Sequence, residues 1–237
     1  MTENRIVEID AARGAAIVLM VVYHIFFDLN YFGLVGVDLD SLTWVVFQRI
    51  IGISFVLIAG ISLVLSESRN REGYLHHAKR GMKLAGVAVL ITLATWLYPH
   101  DGFIQFGIIH MLALSTLIAP FFLRFGKLNL VFGVIIIAAG LYATTLSTES
   151  HLFFWLGIND PGYHALDHYP MLPWFGVILI GMAIGQSIEW TKEIARVDYA
   201  RKGYAGLLSF LGRNSLAIYL LHQPMLVGAI SAYQLLL

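Results

Sequence analysis

His24 and Asp28 stand four residues apart inside a run otherwise built from Ile, Leu, Val, Met, Tyr and Phe. On a helix that spacing puts both side chains on one face, one turn apart. A carboxylate placed there can accept an imidazole N–H and fix its tautomer, leaving the other ring nitrogen free to take a proton. The same two residues could also be a mutually satisfied pair that only sets helix packing.

Three more ionisable residues interrupt apolar runs: Arg49, His110 and His222, the last followed by Gln223. An ionisable side chain near the centre of a bilayer costs at least ~2.5–3.5 kcal/mol, so each needs a partner and is a functional candidate by default. Arg49 is charged at every accessible pH and calls for a carboxylate, a carbonyl cluster or a substrate. Asp28 and Asp167 are the carboxylates within its expected reach. His110 and His222 could be bases, or hydrogen-bonded core histidines. Gln223 is one more polar group to be satisfied, and a substrate contact if the site is a cavity. Asp167 and His168 belong to a polar stretch that starts at His164; His164 and His168 have metal-ligand chemistry at helical spacing, but one such pair does not make a site and no metal is expected.

These residues sit in a chain of 237 residues that is 58% hydrophobic and 13% charged, with mean hydropathy +0.75. Soluble domains seldom exceed about half apolar residues. Apolar runs at 12–33, 44–66, 82–99, 103–124, 128–146, 170–188 and 212–235 each approach the ~20 residues that cross ~30 Å of hydrocarbon. The expected fold is therefore an all-α polytopic transmembrane bundle of about seven spans in a single domain covering 1–237. No internal repeat stands out. The first run reaches Gly33 without a cleavage site of small residues, so it reads as a retained span. Gly181 and Gly185 form a GxxxG pattern, which serves close helix packing and also allows a homodimer.

The basic residues orient the bundle. Fourteen of the fifteen fall between alternate spans or at the matching helix ends: Arg5, Arg13, Arg69, Arg71, Lys79, Arg80, Lys83, Arg124, Lys127, Lys192, Arg196, Arg201, Lys202 and Arg213. The opposite segments, 34–43, 100–102, 147–169 and the C-terminus, hold none. The positive-inside rule then places the N-terminus in the cytoplasm and the C-terminus outside, in a plasma membrane. At ~1.5 Å per residue, His24 lies near mid-membrane and Asp28 about 6 Å further out. His24, Asp28, Arg49, His110 and His222 can then share one cavity in the central-to-outer half. Arg13, Arg80, Lys83, Arg124, Arg213 and the adjacent Asn214 ring the inner helix ends, where they mark topology or dock a phosphate-bearing ligand. Zero net charge argues against nucleic acid. The absence of cysteine excludes disulfides, iron–sulfur clusters and thiol nucleophiles.

Four stretches together resemble the heparan-α-glucosaminide N-acetyltransferase catalytic-domain family, particularly its small prokaryotic members. They are Arg5-Ile-Val-Glu-Ile-Asp-Ala-Ala-Arg-Gly14 leading to His24 and Asp28; Arg49-Ile-Ile-Gly-Ile-Ser-Phe55 with Ala59-Gly60; Phe106-Gly-Ile-Ile-His110; and Asp167-His-Tyr-Pro-Met-Leu-Pro-Trp-Phe-Gly176. The tail Leu211-Gly-Arg-Asn-Ser-Leu-Ala-Ile-Tyr-Leu-Leu-His222-Gln-Pro224 is similar to the closing helix of the wider transmembrane acyltransferase superfamily. The resemblance implies acetyl transfer from cytoplasmic acetyl-CoA to an amine or hydroxyl, often on a sugar, across the membrane. His24 would deprotonate the acceptor or briefly carry the acetyl, Asp28 would orient it, and Arg49 or His110 would stabilise the oxyanion or bind the acceptor. His110 and His222 are the fallback bases. Arg49, Asp167, His168 and Gln223 would line the acceptor side. One departure stands out: the animal glycosaminoglycan enzymes use a histidine just beyond the first core helix, and Leu34 to Thr43 contains none, so heparan sulfate is not the expected substrate.

Other classes meet the same residues differently. A proton-coupled transporter would use the His, Asp and Arg as a relay. A retinal protein needs a mid-membrane lysine in the last span, which is absent. A membrane cytochrome would pair His24, His110 or His222 on haem iron. Stabilisation by CoA or acetyl-CoA separates the acyltransferase from all of these.

Overall fold

A computed structural model describes residues 6–67, 73–188 and 204–236. Arg5, Arg69, Arg71, Lys192, Arg196, Arg201 and Lys202 lie outside the described residues. The elements are α1 (Val7–Tyr31), α2 (Leu42–Glu67), α3 (Tyr74–Leu97), α4 (Ile108–Ile118), α5 (Leu128–Ala143), α6 (Met171–Ser187), α7 (Tyr204–Arg213) and α8 (Ser215–Gln234). A 3-10 turn, Ala119–Phe125, extends α4, and another, His151–Leu156, lies in the α5–α6 connection. The sole extended pairing among the described residues is an isolated bridge between Ser147 and Asn159.

Five of these helical stretches are long and apolar enough to cross a membrane: Val7–Tyr31, Leu42–Glu67, Tyr74–Leu97, Ile108–Phe125 and Ser215–Gln234. The all-helical membrane fold expected from the apolar runs is thus present. The expected spans at 128–146 and 170–188 become the shorter α5 and α6, of 16 and 17 residues. At ~1.5 Å per residue they measure about 24 and 26 Å, less than the ~30 Å of a hydrocarbon core.

The chain forms two compact units, residues 1–58 with 190–237, and residues 59–189. In the first unit, α1 carries Glu8 and Asp10 in its opening turn, where acidic side chains complement the helix dipole. It ends at Gly33, whose φ of 71° permits the Leu34 N–H to reach back to Leu29 O at 2.8 Å. That closing bond needs a left-handed residue, which glycine supplies without a Cβ clash. Helices α7 and α8, joined at Asn214, run parallel to α1. Ser209 donates to Val7 O at 3.1 Å near one end, and Gln234 donates to Phe32 O at 3.2 Å near the other. Gly14 and Gly212 meet where α1 crosses α7: a Cβ on Gly14 would strike the Leu208 carbonyl, and one on Gly212 the Asp10 carbonyl. Ile17, Met20, Tyr23 and Ile51 form the core, with Trp44, Phe47, Leu211, Ile218 and Tyr219 packed on it.

Helix α7 has no counterpart among the expected spans, because it is too short and too polar on one face to give a span-length apolar run. It packs Ser209 and Gly212 inward and leaves Tyr204, Leu207 and Phe210 exposed.

In the second unit the glycines of α6 serve intrachain packing. A Cβ on Gly60 would strike the Ile178 carbonyl and come within 3.1 Å of the Gly181 Cα, and one on Gly185 within 3.2 Å of Val64. Gly133 and Gly176 do the same between α5 and α6. The GxxxG pattern therefore holds α6 against the end of α2, the packing use expected of it. Trp174 is 4% exposed, its ring tilted against Tyr169 with centroids 4.5 Å apart.

Candidate functional site

The first unit brings together four of the sequence candidates from two helices at opposite ends of the chain. His24 and Asp28 come from α1, His222 and Gln223 from α8. The His24 and His222 rings meet edge to face, with centroids 4.7 Å apart at 77°. His24 Nδ1 lies 2.8 Å from Met20 O, and His222 Nδ1 lies 2.7 Å from Tyr219 O. A carbonyl oxygen only accepts, so the proton of each neutral ring sits on Nδ1 and the lone pair on Nε2. Both imidazoles are thereby held in the tautomer of a base. Pro224 follows directly inside α8 and removes one helix hydrogen bond beside the pair.

Asp28 does not orient His24. Its Oδ1 accepts from Gln223 Nε2 at 2.7 Å, and the His24 N–H that it was expected to accept is directed back along α1 to Met20. The reason is local: on a helix the carbonyl four residues back lies within reach of Nδ1, and it needs no desolvated charge to hold the ring. Asp28 is 2% exposed and ties α1 to α8. Three buried atoms of the cluster, Asp28 Oδ2, His222 Nε2 and Gln223 Oε1, have no hydrogen-bond partner among the described residues.

Arg49, on the α2 segment of this unit, lies within electrostatic reach of the Tyr23 hydroxyl, as does Asp40. Arg13 pairs with Asp10 at 2.9 Å beside the Gly14 crossing. Arg213 ends α7 and is exposed, and Asn214 turns its amide back onto Phe210 O at 2.8 Å.

In the second unit His110 is occupied on both sides. The Gly107 N–H donates to its Nδ1 at 3.3 Å, and Nε2 faces Thr92 Oγ1 at 3.0 Å. Thr92 gives its own hydroxyl proton to Ile104 O at 2.7 Å, so Nε2 is the donor. This is the opposite tautomer from His24 and His222, with no lone pair to offer. Asp167 Oδ2 accepts from the Ile108 N–H at 3.0 Å and so covers the start of α4. A Cβ on Gly107 would collide with that carboxylate. The two stretches around Phe106 and Asp167, remote in sequence, thus form one helix cap, and both residues serve the fold there. His168 donates from Nε2 to Phe154 O at 3.1 Å and meets Tyr163 edge-on. Burial lowers the His168 imidazole and pushes the Tyr163 phenol up to about 12. Arg80 and Lys83 are exposed on α3, and Arg124 lies over the Phe125 ring at 4.8 Å. No group of three or more His, Asp or Glu side chains is placed to hold a metal among the described residues.

A pair that no motif marked is His77 with Glu67, 2.6 Å apart, with His77 fully buried at the α2–α3 connection. It stands in a basic stretch that reads as solvated, and nothing local signals its burial.

The first unit of this helical membrane protein thus holds a pair of imidazoles, each with its Nε2 lone pair bare, inside a helix contact. The chain belongs to the heparan-alpha-glucosaminide N-acetyltransferase catalytic-domain family, whose model matches residues 5–224. It is thus a member of a membrane acetyltransferase family. No curated protein and no solved structure matches it.

Proposed function

We propose that this protein is a membrane-embedded acyltransferase that moves an acetyl group from cytoplasmic acetyl-CoA to an amine or hydroxyl, on a sugar, at the extracytoplasmic side of the plasma membrane. The observation that carries the reading is the His24 tautomer: its Nδ1–H is committed to Met20 O, so Nε2 carries the lone pair of a base in the second half of α1. In this reading the chain crosses the bilayer seven times with its N-terminus inside, as the distribution of basic residues supports.

His24 Nε2 takes the proton from the acceptor as its nitrogen or oxygen attacks the thioester carbonyl. Arg49 serves the acceptor or the developing oxyanion, and Gln223 contacts the acceptor. Arg13 and Arg213 in the first unit offer charge, and Asn214 an amide, to the CoA phosphates. Asp28 holds α8 through Gln223 and so fixes the distance at which His24 and His222 face each other.

The test is ligand stabilisation followed by turnover. Purified protein with millimolar acetyl-CoA should melt several degrees higher than without it. It should also release free CoA when supplied with hexosamine or hexose acceptors. No shift and no CoA release with either acceptor class would overturn the reading.

A further inference from the structure

We propose that the 3-10 turn His151–Leu156 in the second unit is an interfacial anchor: its Leu152, Phe153 and Trp155 side chains sit in lipid at the membrane face where α5 ends. The inference uses the seven-span crossing proposed above and is independent of the acetyl transfer.

The turn is held to the protein by one face. Side chains three apart eclipse on a 3-10 helix, so His151 and Phe154 share a face. His151 Nδ1 donates to Oδ2 of the buried Asp160, whose Oδ1 accepts the Gly162 N–H at 3.0 Å. Phe154 packs on Tyr163 with centroids 4.9 Å apart, and its carbonyl accepts from His168 Nε2 at 3.1 Å. Leu152 and Trp155 share a second face, and Phe153 stands on the third. They are 74%, 37% and 43% exposed, in that order. The turn thus makes its polar contacts with the protein and fixes three large apolar side chains pointing away from it.

Helix α5 leads into this surface. It begins after Lys127, holds no charged residue, and exposes Leu130, Val134, Ile135 and Leu141, so lipid covers that side. It ends at Thr144 and Thr145, whose hydroxyls donate to Leu141 O and Tyr142 O at 2.8 and 2.7 Å. With Lys127 among the headgroups at one face, the ~24 Å of α5 stops about 6 Å short of the far edge of a ~30 Å hydrocarbon core. Leu152, Phe153 and Trp155, next along the chain, fill that height, and an indole is favoured at the headgroup level. The connection 144–169 has no Lys or Arg. Its Asp160 and Asp167 are engaged by His151 and by the Ile108 N–H, which leaves Glu149 as its one other carboxylate. A surface so poor in charge, continuous with a lipid-covered helix, fits a neutral bilayer interface and needs no anionic headgroup.

The test exploits the absence of cysteine, which lets a single introduced cysteine carry a nitroxide spin label without background. Leu152→Cys, Phe153→Cys, Ile135→Cys and Glu149→Cys are made in the full-length protein and placed in phosphatidylcholine vesicles. Relaxation of each label is measured with oxygen, which concentrates in lipid, and with a nickel chelate, which stays in water. The label at 149 supplies the aqueous reference. Relative to it, the labels at 152 and 153 should favour oxygen over nickel several-fold, and the label at 135, in the middle of α5, should favour it most. Labels at 152 and 153 as open to nickel as the one at 149, with 135 in lipid, overturn the anchor and leave the α5 crossing standing. A label at 135 in water overturns the crossing and the anchor with it. A second arm needs no label: brominated phosphatidylcholine quenches tryptophan that touches lipid. Trp155→Phe should lower the quenchable fluorescence, and an equal quenched signal in variant and wild type overturns the anchor.

Discussion

His24 and His222 lie 198 positions apart in the chain and edge to face in the fold, each with Nδ1 fastened to a carbonyl of its own helix. His110 faces its neighbours with the opposite nitrogen protonated. Three histidines equivalent by sequence are therefore divided by where their hydrogens are held: two leave Nε2 bare, and one helps cap a helix.

That division predicts what His24 does. His24→Ala should lower acetyl transfer by about 10²–10⁴-fold while leaving the protein folded in membranes. Release of CoA can be followed with a thiol reagent without protein background, because the chain contains no cysteine. Full activity in the variant would move the base elsewhere.

His110 should behave in the reverse way. His110→Ala removes one acceptor at the start of α4 and the Thr92 contact, which together should cost about 1–2 kcal/mol of stability. Activity per folded molecule should stay within a few-fold of wild type. The check is a melting curve beside a specific-activity measurement, and a folded but inactive variant would return His110 to the chemistry.

Glycine substitutions should separate packing from open surface. Gly60→Ala drives a methyl into the Ile178 carbonyl and should destabilise by about 1–3 kcal/mol. Gly86, inside α3, has nothing within 4 Å of an added Cβ, so Gly86→Ala should be neutral or stabilise by about 0.5–1 kcal/mol. Equal melting temperatures for the two variants would contradict the α2–α6 contact.

The half-buried His168 sets a pH dependence. Burial lowers its imidazole below the ordinary value of ~6.5, so the unfolded chain binds a proton before the folded one does. Its contribution is present above ~6.5 and is lost as the pH falls below that value. The melting temperature should therefore drop between pH 7 and pH 5 more steeply in the wild type than in His168→Gln, and parallel curves would show that His168 is not the group.

Arg213 tests the donor side. Arg213→Ala should raise the KM for acetyl-CoA several-fold with little change in kcat if the inner rim holds the CoA phosphates. An unchanged KM would leave Arg213 with a topological role only.

Much of the architecture was legible in the residues. The unbroken apolar runs gave α1, α2 and α8 their positions, since a backbone in hydrocarbon must satisfy its own hydrogen bonds and a helix does so locally. Helix α3 starts eight residues before the expected 82 because hydropathy marks the membrane segment, while the helix continues through polar His76, His77, Lys79 and Arg80. Helix α7 escaped notice for the related reason that its apolar residues cover a single face.

Within the site, residue types and spacing were sufficient to single out His24, Asp28, His222 and Gln223, because ionisable and amide groups in an apolar run are costly wherever they are placed. Their partners were another matter. A four-residue spacing brings Asp28 and His24 to one helix face, yet it cannot say whether the imidazole hydrogen goes to that carboxylate or to the Met20 carbonyl, nor that α8 would present Gln223 to Asp28. Those choices compete within hydrogen-bond distances of 3 Å, and packing of α1 along α7 and α8, through glycines that let the backbones touch, decided them. Sequence determined which groups are buried in the membrane protein and the family it belongs to; tertiary structure decided which nitrogen of each histidine keeps its proton.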